Sequence, residues 1–444
     1  MPSHLYRANA EISEEQKIPL RDLIKILGLS SDLINDPCVD NNFNLWKCDS
    51  TKSVIEVLNL SYSPLKTMVK IPDSFSSLIN LTSITFNYSY SPSLNFWNYL
   101  GNYTSLNSLY VYNVIDPLRA STVVNIPDSL ETLILVSRGV VPPVLFQSHI
   151  KYLNISYYGF NYNSSLKLSQ INPFMETLNI HISKPVIGLE NLTNLKHLSI
   201  KMLYNIRLNF LDFSQLKNLE TLTIKFDDFT DIQIDFPHSI SACNKLTKLS
   251  IINNGFNLIS PTDLISMSLT DFYVVNAPSL FNGSTFPAII FSQKLDYFTV
   301  KKSGLKSFLF DIFSLANNIN LDDNSIESSL PVGDYNSMVD LSIKNNRLYG
   351  SIPAEICSLH VKNINIGGNY LCGTVPDCYV QSPDLAQNSL LPNYFTNLGE
   401  TNNTQSKCGS PPPPSGLKVS LSSNLKVNFA FVISILLFSI FLIN

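Results

Sequence analysis

Charged side chains are scarce in this sequence. Lys, Arg, Asp and Glu together make up 14% of the 444 residues, and their formal sum is −4 at pH 7. A protein that binds nucleic acid normally carries a strongly basic face, so this charge balance argues against nucleic acid as a partner. We therefore expect the partners to be uncharged or weakly charged.

Sequence motifs for catalysis and metal binding are missing as well. The histidines show no metal-ligand spacing, and we find neither a phosphate-binding loop nor a nucleophile elbow. A cluster of four aspartates between residues 227 and 235 lacks the residue order of a known calcium loop, so we interpret this acidic group as a solvated turn. The histidines are His4, His149, His181, His197, His238 and His360, and the acidic group is Asp227, Asp228, Asp231 and Asp235. His181 and His197 lie on adjacent repeats, where we expect solvated surface residues. The sequence predicts a protein that is not an enzyme and has no cofactor and no metal.

A secretory signal is the third missing feature. Residues 1–17 are polar, include Glu11, Glu14 and Glu15, and contain no apolar run of signal-peptide length. No export signal is therefore visible, although the cysteines indicate an oxidising compartment. Two explanations stay open: the natural chain begins earlier, or the protein is not secreted.

The cysteines cluster at the two ends of the patterned part of the chain. Cys38 and Cys48 precede it, and Cys357, Cys372, Cys378 and Cys408 follow it. This layout predicts disulfides that close both ends of a solenoid, with buried free thiols in a cytosolic protein as the alternative. The four C-terminal cysteines allow three pairings, among which the sequence does not choose. Cys243 stands alone, and we expect it to be a buried apolar residue.

A short pattern recurs along most of the chain. Its most regular copy spans residues 341–356 and has the form LxIxxNxLxGxIPxxI. The alternating apolar residues predict a short strand, which Asn346 ends by turning its amide onto backbone groups. The apolar triplet recurs from Ile55 to Ile366 with a spacing of about 23–24 residues. One unit cannot bury its apolar side alone, so we predict a stack of about fourteen units.

These repeats resemble the leucine-rich repeat superfamily. The turn from Gly350 to Pro353 is similar to its plant-type subclass, as are the turns around Pro72, Pro127 and Pro376. The Asn- and Ser-rich texture also resembles surface proteins of social amoebae that carry such repeats. The resemblance implies an α/β repeat solenoid, a horseshoe or curved superhelix with a parallel β-sheet on its concave face. Short helical or irregular convex segments and disulfide caps would complete it.

The pattern divides the chain into five segments. Residues 1–17 are the polar start, and 18–53 are an N-terminal cap with Cys38 and Cys48, in which Pro19 begins an amphipathic helix. Residues 54–380 hold the repeats and the C-terminal cap, 381–428 a stalk rich in Ser, Pro and Asn, and 429–444 an apolar tail. The turn Asn is present at Asn254, Asn324, Asn346 and Asn369. Most earlier repeats lack it, so we expect the first two thirds of the solenoid to be less regular.

The concave face is the predicted recognition surface. Side chains alternate across a strand, so the residue between the last two apolar positions of each repeat points outward. This central row is Asn59, Thr85, Tyr110, Ile134, Asn154, Asn179, Ser199, Thr223, Ser250, Tyr273, Thr299, Asn320, Ser342 and Asn365. Its amides, hydroxyls and tyrosines suit a carbohydrate or a polar protein surface.

A second set of outward residues adds positive charge. Lys201, Lys225, Lys301 and Lys344 neighbour the central row and would steer a moderately acidic ligand. The predicted binding residues are Tyr110, Asn154, Asn179, Ser199, Lys201, Thr223, Lys225, Tyr273, Thr299, Lys301, Ser342 and Lys344. The alternative is that these are merely solvent-facing strand positions.

Acceptor sequences for N-glycosylation are frequent. They occur at Asn59, Asn80, Asn87, Asn102, Asn154, Asn163, Asn191, Asn282 and Asn402. So much Asn, Ser and Thr produces several by chance, so they are compatible with secretion without proving it. If Asn59 and Asn154 carry glycans, part of the concave row is covered and binding moves to the C-terminal repeats or the edges.

The apolar tail predicts attachment to a membrane. The signal for a glycosylphosphatidylinositol (GPI) anchor consists of small residues, a polar spacer and a terminal apolar run. The end of this chain has these parts in that order, with 429–444 as the apolar run. A single spanning helix is the alternative, although the run is shorter than such a helix prefers. We therefore expect a cell-surface, plasma-membrane protein.

Together these features predict a non-catalytic, membrane-anchored extracellular protein for recognition or adhesion. Its ligand would be a protein or a carbohydrate at the cell surface. Two other functions are compatible with the sequence: inhibition of a secreted hydrolase, which resembles a role of some plant-type repeat proteins, and a structural role in a surface coat.

Overall fold

The computed structural model describes residues 12–35, 37–38, 45–60, 69–87, 90–91, 94–114, 124–137, 149–157, 166–167, 172, 174–182, 186–202, 211–226, 236–253, 267–278, 280, 291, 293–307, 312–332, 338–358, 363–380 and 387–398. Several sequence predictions lie outside these residues. They concern Asn254, the acidic group at 227–235, the acceptor sequences at Asn163, Asn282 and Asn402, Cys408, most of the stalk, and the apolar tail.

Short strands make up most of the described chain. They are β1 (Trp46–Cys48), β2 (Ile55–Leu60), β3 (Val69–Lys70), β4 (Ser83–Asn87), β5 (Tyr90–Ser91), β6 (Ser108–Val114), β7 (Thr132–Ser137), β8 (Tyr152–Tyr157), β9 (Leu166–Lys167), β10 (Thr177–Ile182), β11 (Val186–Ile187), β12 (His197–Met202), β13 (Thr221–Phe226), β14 (Lys248–Ile252), β15 (Asp271–Val275), β16 (Leu295–Lys301), β17 (Ala316–Asn320), β18 (Asp340–Ser342), β19 (Tyr349–Gly350), β20 (Asn363–Asn365), β21 (Tyr370–Gly373) and β22 (Tyr394–Phe395).

Fifteen of these strands form one long sheet. Its order is β1-β2-β4-β6-β7-β8-β10-β12-β13-β14-β15-β16-β17-β18-β20, so each repeat adds one strand beside the last. The strands β1 and β2 are antiparallel, and every later neighbouring pair is parallel. Smaller parallel sheets join β3 to β5, β9 to β11, and β19 to β21 and β22.

Sequence alternation places one face of each strand in the core. In β13, Leu222 and Ile224 are fully buried, while Thr223 between them lies on the outer face. Parallel pairing then puts each buried residue beside its counterpart, as with Leu198 and Leu222. Burying one such side chain contributes about 2 kcal/mol. The core is therefore built by stacking, which no single repeat achieves alone.

Short helices and 3-10 turns form the other elements. The α-helices are α1 (Glu14–Leu27), α2 (Leu94–Tyr99), α3 (Ile312–Leu315), α4 (Asp377–Val380) and α5 (Gln387–Leu390), and the 3-10 turns are Ser31–Ile34, Asp73–Ser77, Leu100–Asn102, Leu189–Asn191, His238–Ala242 and Ala354–Ser358. None of the helices in the described ranges is long and apolar enough to cross a membrane.

The N-terminal cap begins with α1. The helix starts at Glu14, so the prediction that Pro19 begins it is wrong. Pro19 has no N–H for the Glu15 carbonyl, and Ser77 Oγ donates to that oxygen at 3.5 Å instead. The predicted apolar face of Leu20, Leu23, Ile24 and Leu27 is buried.

A disulfide and a tryptophan complete the N-terminal cap. Cys38 and Cys48 are bonded, as the sequence predicts. Buried Trp46 donates from Nε1 to the Pro37 carbonyl at 2.6 Å. The antiparallel strand β1 thereby covers the first parallel strand of the solenoid.

The C-terminal end of the stack reaches beyond residue 380, where the sequence pattern placed the end of the repeats. Cys357 is bonded to Cys378, and Cys372 is also disulfide-bonded. A further rung follows, in which the buried Asn393 donates to the Ile366 carbonyl at 2.9 Å. Residues 387–398 therefore continue the solenoid and do not belong to the predicted stalk.

Candidate functional site

The central row forms one aligned file of side chains. Each of its fourteen residues pairs in register with the next across the parallel sheet, from Asn59 beside Thr85 to Ser342 beside Asn365. Tyr273 is the most exposed of them, with 43% of its surface open to solvent. The others are half-buried by their neighbours on the concave face.

A second file, the upstream row, lies two residues before the central row on each strand. It consists of Val57, Ser83, Ser108, Thr132, Tyr152, Thr177, His197, Thr221, Lys248, Asp271, Tyr297, Asn318, Asp340 and Asn363, paired in the same register. Because alternation has a period of two, this file faces the same side as the central row. The concave surface is therefore wider than the row predicted from the sequence.

The least polar part of the concave face lies on β6, β7 and β8. Tyr110 and Tyr112 neighbour Ile134 and Val136, and Tyr152 lies on the next strand. Burial raises the pKa of Tyr112, and its two tyrosine neighbours act in the same direction. The N-terminal half of the face thus carries an aromatic and aliphatic patch.

The four predicted lysines do not form one cationic strip. Lys201 and Lys225 are neighbours on β12 and β13. Lys301 is instead engaged by two carboxylates, with its Nζ 3.7 Å from Asp322 and 3.5 Å from Asp323. The expectation that these lysines steer an acidic ligand is therefore not supported at Lys301.

Asp322 also organises the turn before Lys344. Its Oδ1 accepts hydrogen bonds from Ser342 Oγ at 2.6 Å and from the Lys344 backbone N–H at 2.8 Å. A hydrogen bond from Asn345, with a smaller effect of Lys301, lowers the pKa of the adjacent Asp323. Sequence reasoning missed both carboxylates because they follow the strand, where the alternating pattern no longer applies.

The histidines His181 and His197 lie in different files and do not face each other. His181 is in register with Lys201, and His197 with Thr177. The Nδ1 atom of His197 is 2.9 Å from Thr221 Oγ1. Within the described ranges, no group of three or more His, Cys, Asp or Glu side chains is arranged to hold a metal ion.

A pocket opens on the concave face of the C-terminal repeats. This C-terminal pocket has a volume of about 370 Å³, within the range of sites that hold a small molecule or a side chain. It is lined by Tyr297, Thr299, Asn318, Ile319, Asn320, Asp340, Leu341, Ser342, Asn363 and Asn365. These residues come from four neighbouring strands, β16, β17, β18 and β20. Eight of them belong to the two outward files, and the buried Ile319 and Leu341 form the floor.

Hydrogen bonds within the protein use several donors of the pocket wall. Asn318 Nδ2 donates to the Asp296 carbonyl at 2.9 Å, and Asn363 Nδ2 donates to Asp340 Oδ1 at 2.8 Å. The Ser342 hydroxyl is committed to Asp322, as described above. The Oδ1 of Asn365 is buried and has no hydrogen-bond partner.

Two of the predicted binding residues, Thr299 and Ser342, line this pocket. Tyr273 lies on the adjacent strand β15, Lys301 is the last residue of the pocket strand β16, and Lys344 follows the pocket strand β18 by two residues. The other predicted residues lie farther along the solenoid. The wall residue Tyr297, which is 54% exposed, was missed. Extending the outward alternation by one step toward the start of each strand would have found it.

The acceptor sequences for N-glycosylation are distributed unevenly over the concave face. Asn59, Asn87 and Asn154 lie on it, all within the N-terminal half, whereas Asn80, Asn102 and Asn191 lie in or beside turns. From β10 to β20 the outward files contain no acceptor sequence. Glycans would therefore leave the C-terminal pocket uncovered.

Comparison with known proteins finds similar structures but no matching family or curated sequence. No protein-family model and no curated protein sequence matches this chain. The plant peptide hormone receptor RGFR1, solved in complex with RGF2, is 18% identical with a TM-score of 0.51, and the match covers 73% of this chain and 53% of that one. This chain thus spans about half the length of that receptor fragment.

Two structures of the Arabidopsis receptor kinase HAESA are also similar. In the complex with the peptide hormone IDA and the co-receptor SERK1, identity is 17%, the TM-score is 0.52, and the match covers 86% of this chain and 74% of that one. For its leucine-rich repeat ectodomain with an N-terminally extended IDA peptide, identity is 17%, the TM-score is 0.56, and coverage is 86% and 70%. The chain therefore has the leucine-rich repeat solenoid fold.

Proposed function

We propose that this leucine-rich repeat chain is a non-catalytic recognition protein that binds a polypeptide ligand on its concave face, at the C-terminal pocket. The observation that carries this proposal is the pocket itself, since outward side chains of four strands converge there on one cavity. Its polar lining offers directional hydrogen bonds, and its position on a sheet gives those groups fixed spacing.

The similar structures support a peptide as the ligand. Those structures are receptors in complex with the peptides RGF2 and IDA. At 17–18% identity they share a fold with this chain, so the transfer of a ligand class is our inference. The turns containing Pro353 and Pro376 lead us to assign the repeats to the plant-type subclass.

We place the protein at the cell surface. The disulfides at both ends favour an oxidising compartment, and the apolar tail at 429–444 favours membrane attachment, with a GPI anchor preferred over a spanning helix. Phospholipase treatment of intact cells that express the full chain tests this proposal. Release into the medium indicates a lipid anchor, and retention beside a released GPI-anchored control indicates a spanning helix.

Binding is tested with the full chain displayed on cells and a phage library of random linear peptides. Asn318→Trp would fill the pocket from the middle of its wall, and we expect this variant to lose the peptides that the unmodified protein selects. Asn244→Trp is the matched control, because Asn244 is an exposed asparagine in a turn away from the pocket.

The result distinguishes recognition from the other functions. If no saturable peptide binding depends on Asn318, concave-face recognition is wrong and a structural coat role gains support. Tight binding to a wall-degrading hydrolase that survives Asn318→Trp would instead favour an inhibitor acting through another surface.

A further inference from the structure

We propose that the C-terminal pocket binds a cationic side chain of the polypeptide ligand, arginine in preference to lysine. This inference deepens the proposed function and rests on it, because it specifies the ligand chemistry of the same surface. Four properties of the pocket wall carry it: free hydrogen-bond acceptors, a carboxylate without a cationic partner, an exposed aromatic ring and a suitable size.

The pocket wall has free acceptors beside its free donors. Bonds within the protein occupy an N–H of Asn318, an N–H of Asn363 and the Ser342 hydroxyl, while Asn320 uses its Oδ1 to accept the Asp322 N–H. The amide oxygens of Asn318 and Asn363 accept no hydrogen bond from any described residue, and the same holds for the buried Oδ1 of Asn365. A buried acceptor without a partner destabilises the free protein, so a donor-rich ligand gains by pairing with it.

The carboxylate of Asp340 gives the pocket a negative charge. One of its oxygens accepts the bond from Asn363, and no Lys or Arg of the described chain forms an ion pair with it. Lys301 on β16 is engaged by Asp322 and Asp323. Lys344 follows Asp340 by four residues and is exposed, but it forms no ion pair with Asp340. A ligand cation therefore meets no competing protein cation at Asp340.

The ring of Tyr297 supplies a flat surface beside these acceptors. It is in register with Asn318 on the next strand and is 54% exposed. A cation over the face of such a ring is attracted by the ring quadrupole, and a guanidinium group also stacks on it through its own plane. The exposed ring thus has a partner in the proposed ligand that it lacks in the free protein.

Size and donor geometry favour arginine over lysine. A cavity of about 370 Å³ accommodates a long side chain. A guanidinium group presents five N–H donors in one plane, which suits several amide oxygens and a carboxylate spread over neighbouring strands. The lysine ammonium group has three donors at one point, so it satisfies fewer of these acceptors.

The test uses the full chain on cells and synthetic copies of the peptides selected from the random library. We expect a common arginine in these peptides. Replacing it by citrulline, which keeps the shape and removes the charge, should weaken binding at least about tenfold, and replacing it by lysine should weaken binding less.

Two protein variants locate the cation. Asp340→Asn should weaken binding of the arginine peptide at least about tenfold while leaving citrulline binding nearly unchanged, because an amide oxygen still accepts the bond from Asn363. Asp377→Asn is the matched control, since it removes one exposed carboxylate in α4 at the same end of the solenoid. It should leave both peptides unaffected.

The outcomes separate this inference from the proposed function. Peptides that require Asn318 but contain no arginine or lysine overturn the inference and keep concave-face recognition. Equal affinity of the arginine peptide for the unmodified protein and for Asp340→Asn does the same. If no peptide binding depends on Asn318, both the inference and the proposed function are wrong.

Discussion

Six residues that follow successive strands share the left-handed (positive φ) backbone conformation. They are Asn253, Asn276, Lys302, Asp323, Asn345 and Gly368, with φ between 51° and 69°. Glycine adopts this conformation without strain, and Asn and Asp tolerate it, whereas other side chains crowd the backbone. Lys302 is the exception in this series.

Replacing Lys302 by Asn should therefore stabilise the protein by about 0.5–1 kcal/mol, because the left-handed conformation costs a lysine roughly 1–2 kcal/mol. Chemical denaturation of the full chain measures the change. Lys302→Gln controls for the lost charge, since it removes the ammonium group without introducing a residue that favours this backbone. Equal stabilisation by both substitutions would contradict the strain argument.

Buried asparagines hold the C-terminal turns together. The Oδ1 of Asn346 accepts the Ile326 N–H at 3.0 Å, and its Nδ2 donates to the carbonyls of Leu321 at 2.9 Å and Ile343 at 3.4 Å. Asn324, Asn369 and Asn393 make equivalent contacts in their own rungs.

Truncating Asn346 to alanine leaves these backbone groups unpaired away from water. We expect a loss of about 3 kcal/mol, measured by denaturation, because each buried unpaired group costs roughly 1–3 kcal/mol. Asn363→Ala serves as the control, since Asn363 is exposed and its side chain makes one hydrogen bond, to Asp340 Oδ1 at 2.8 Å. An equal loss of unfolding free energy in Asn363→Ala would show that the buried contacts of Asn346 do not account for its effect on stability.

At the scale of elements, the solenoid uses two kinds of turn. The middle strands β10, β12 and β13 have six residues and end in the buried Ile182, Met202 and Phe226. The later strands β18 and β20 have three residues and are followed by inward asparagines. An apolar residue continues the alternation and lengthens the strand, whereas Asn satisfies the turn backbone and ends it.

This difference explains what the sequence could predict. The triplets located every parallel strand of the fifteen-stranded sheet because buried alternation fixes which residues face outward, and the central row follows directly from it. They did not locate the short strands of the smaller sheets. The last rung was missed because Leu390, Leu391 and Pro392 hide the pattern, although Asn393 follows Leu390 at the spacing seen between Ile343 and Asn346. The free acceptors of the C-terminal pocket could not be predicted, since they depend on which amide groups the neighbouring strands use.

The Cys38–Cys48 and Cys357–Cys378 disulfides close different ends of the array. Replacing Cys357 and Cys378 by serine should destabilise the C-terminal cap by about 3 kcal/mol, because the bond closes a loop across 21 residues. Limited proteolysis should then cut within residues 363–398 before any other part. The paired control replaces Cys38 and Cys48, which should expose the N-terminal cap and leave 363–398 protected. Early cleavage at both ends in either variant would contradict independent caps.

At the scale of the whole molecule, contacts connect each rung to its neighbours. The order of the fifteen-stranded sheet follows the chain, so no strand links distant repeats. Stability of such an array is approximately a sum of rung and interface terms, and opening at an end breaks one interface whereas opening in the middle breaks two. The position of a core truncation should therefore decide how far its effect spreads.

Leu222 in β13 and Leu371 in β21 are both fully buried, and truncating either to alanine should cost about 2–5 kcal/mol. Hydrogen exchange should distinguish them. In Leu371→Ala, faster exchange should stay within residues 363–398, because the end opens alone. In Leu222→Ala, exchange should accelerate on both sides of β13, since a weakened middle uncouples the two halves. Uniform acceleration across the sheet in Leu371→Ala would mean that the array unfolds as one unit, and the nearest-neighbour description would then be wrong.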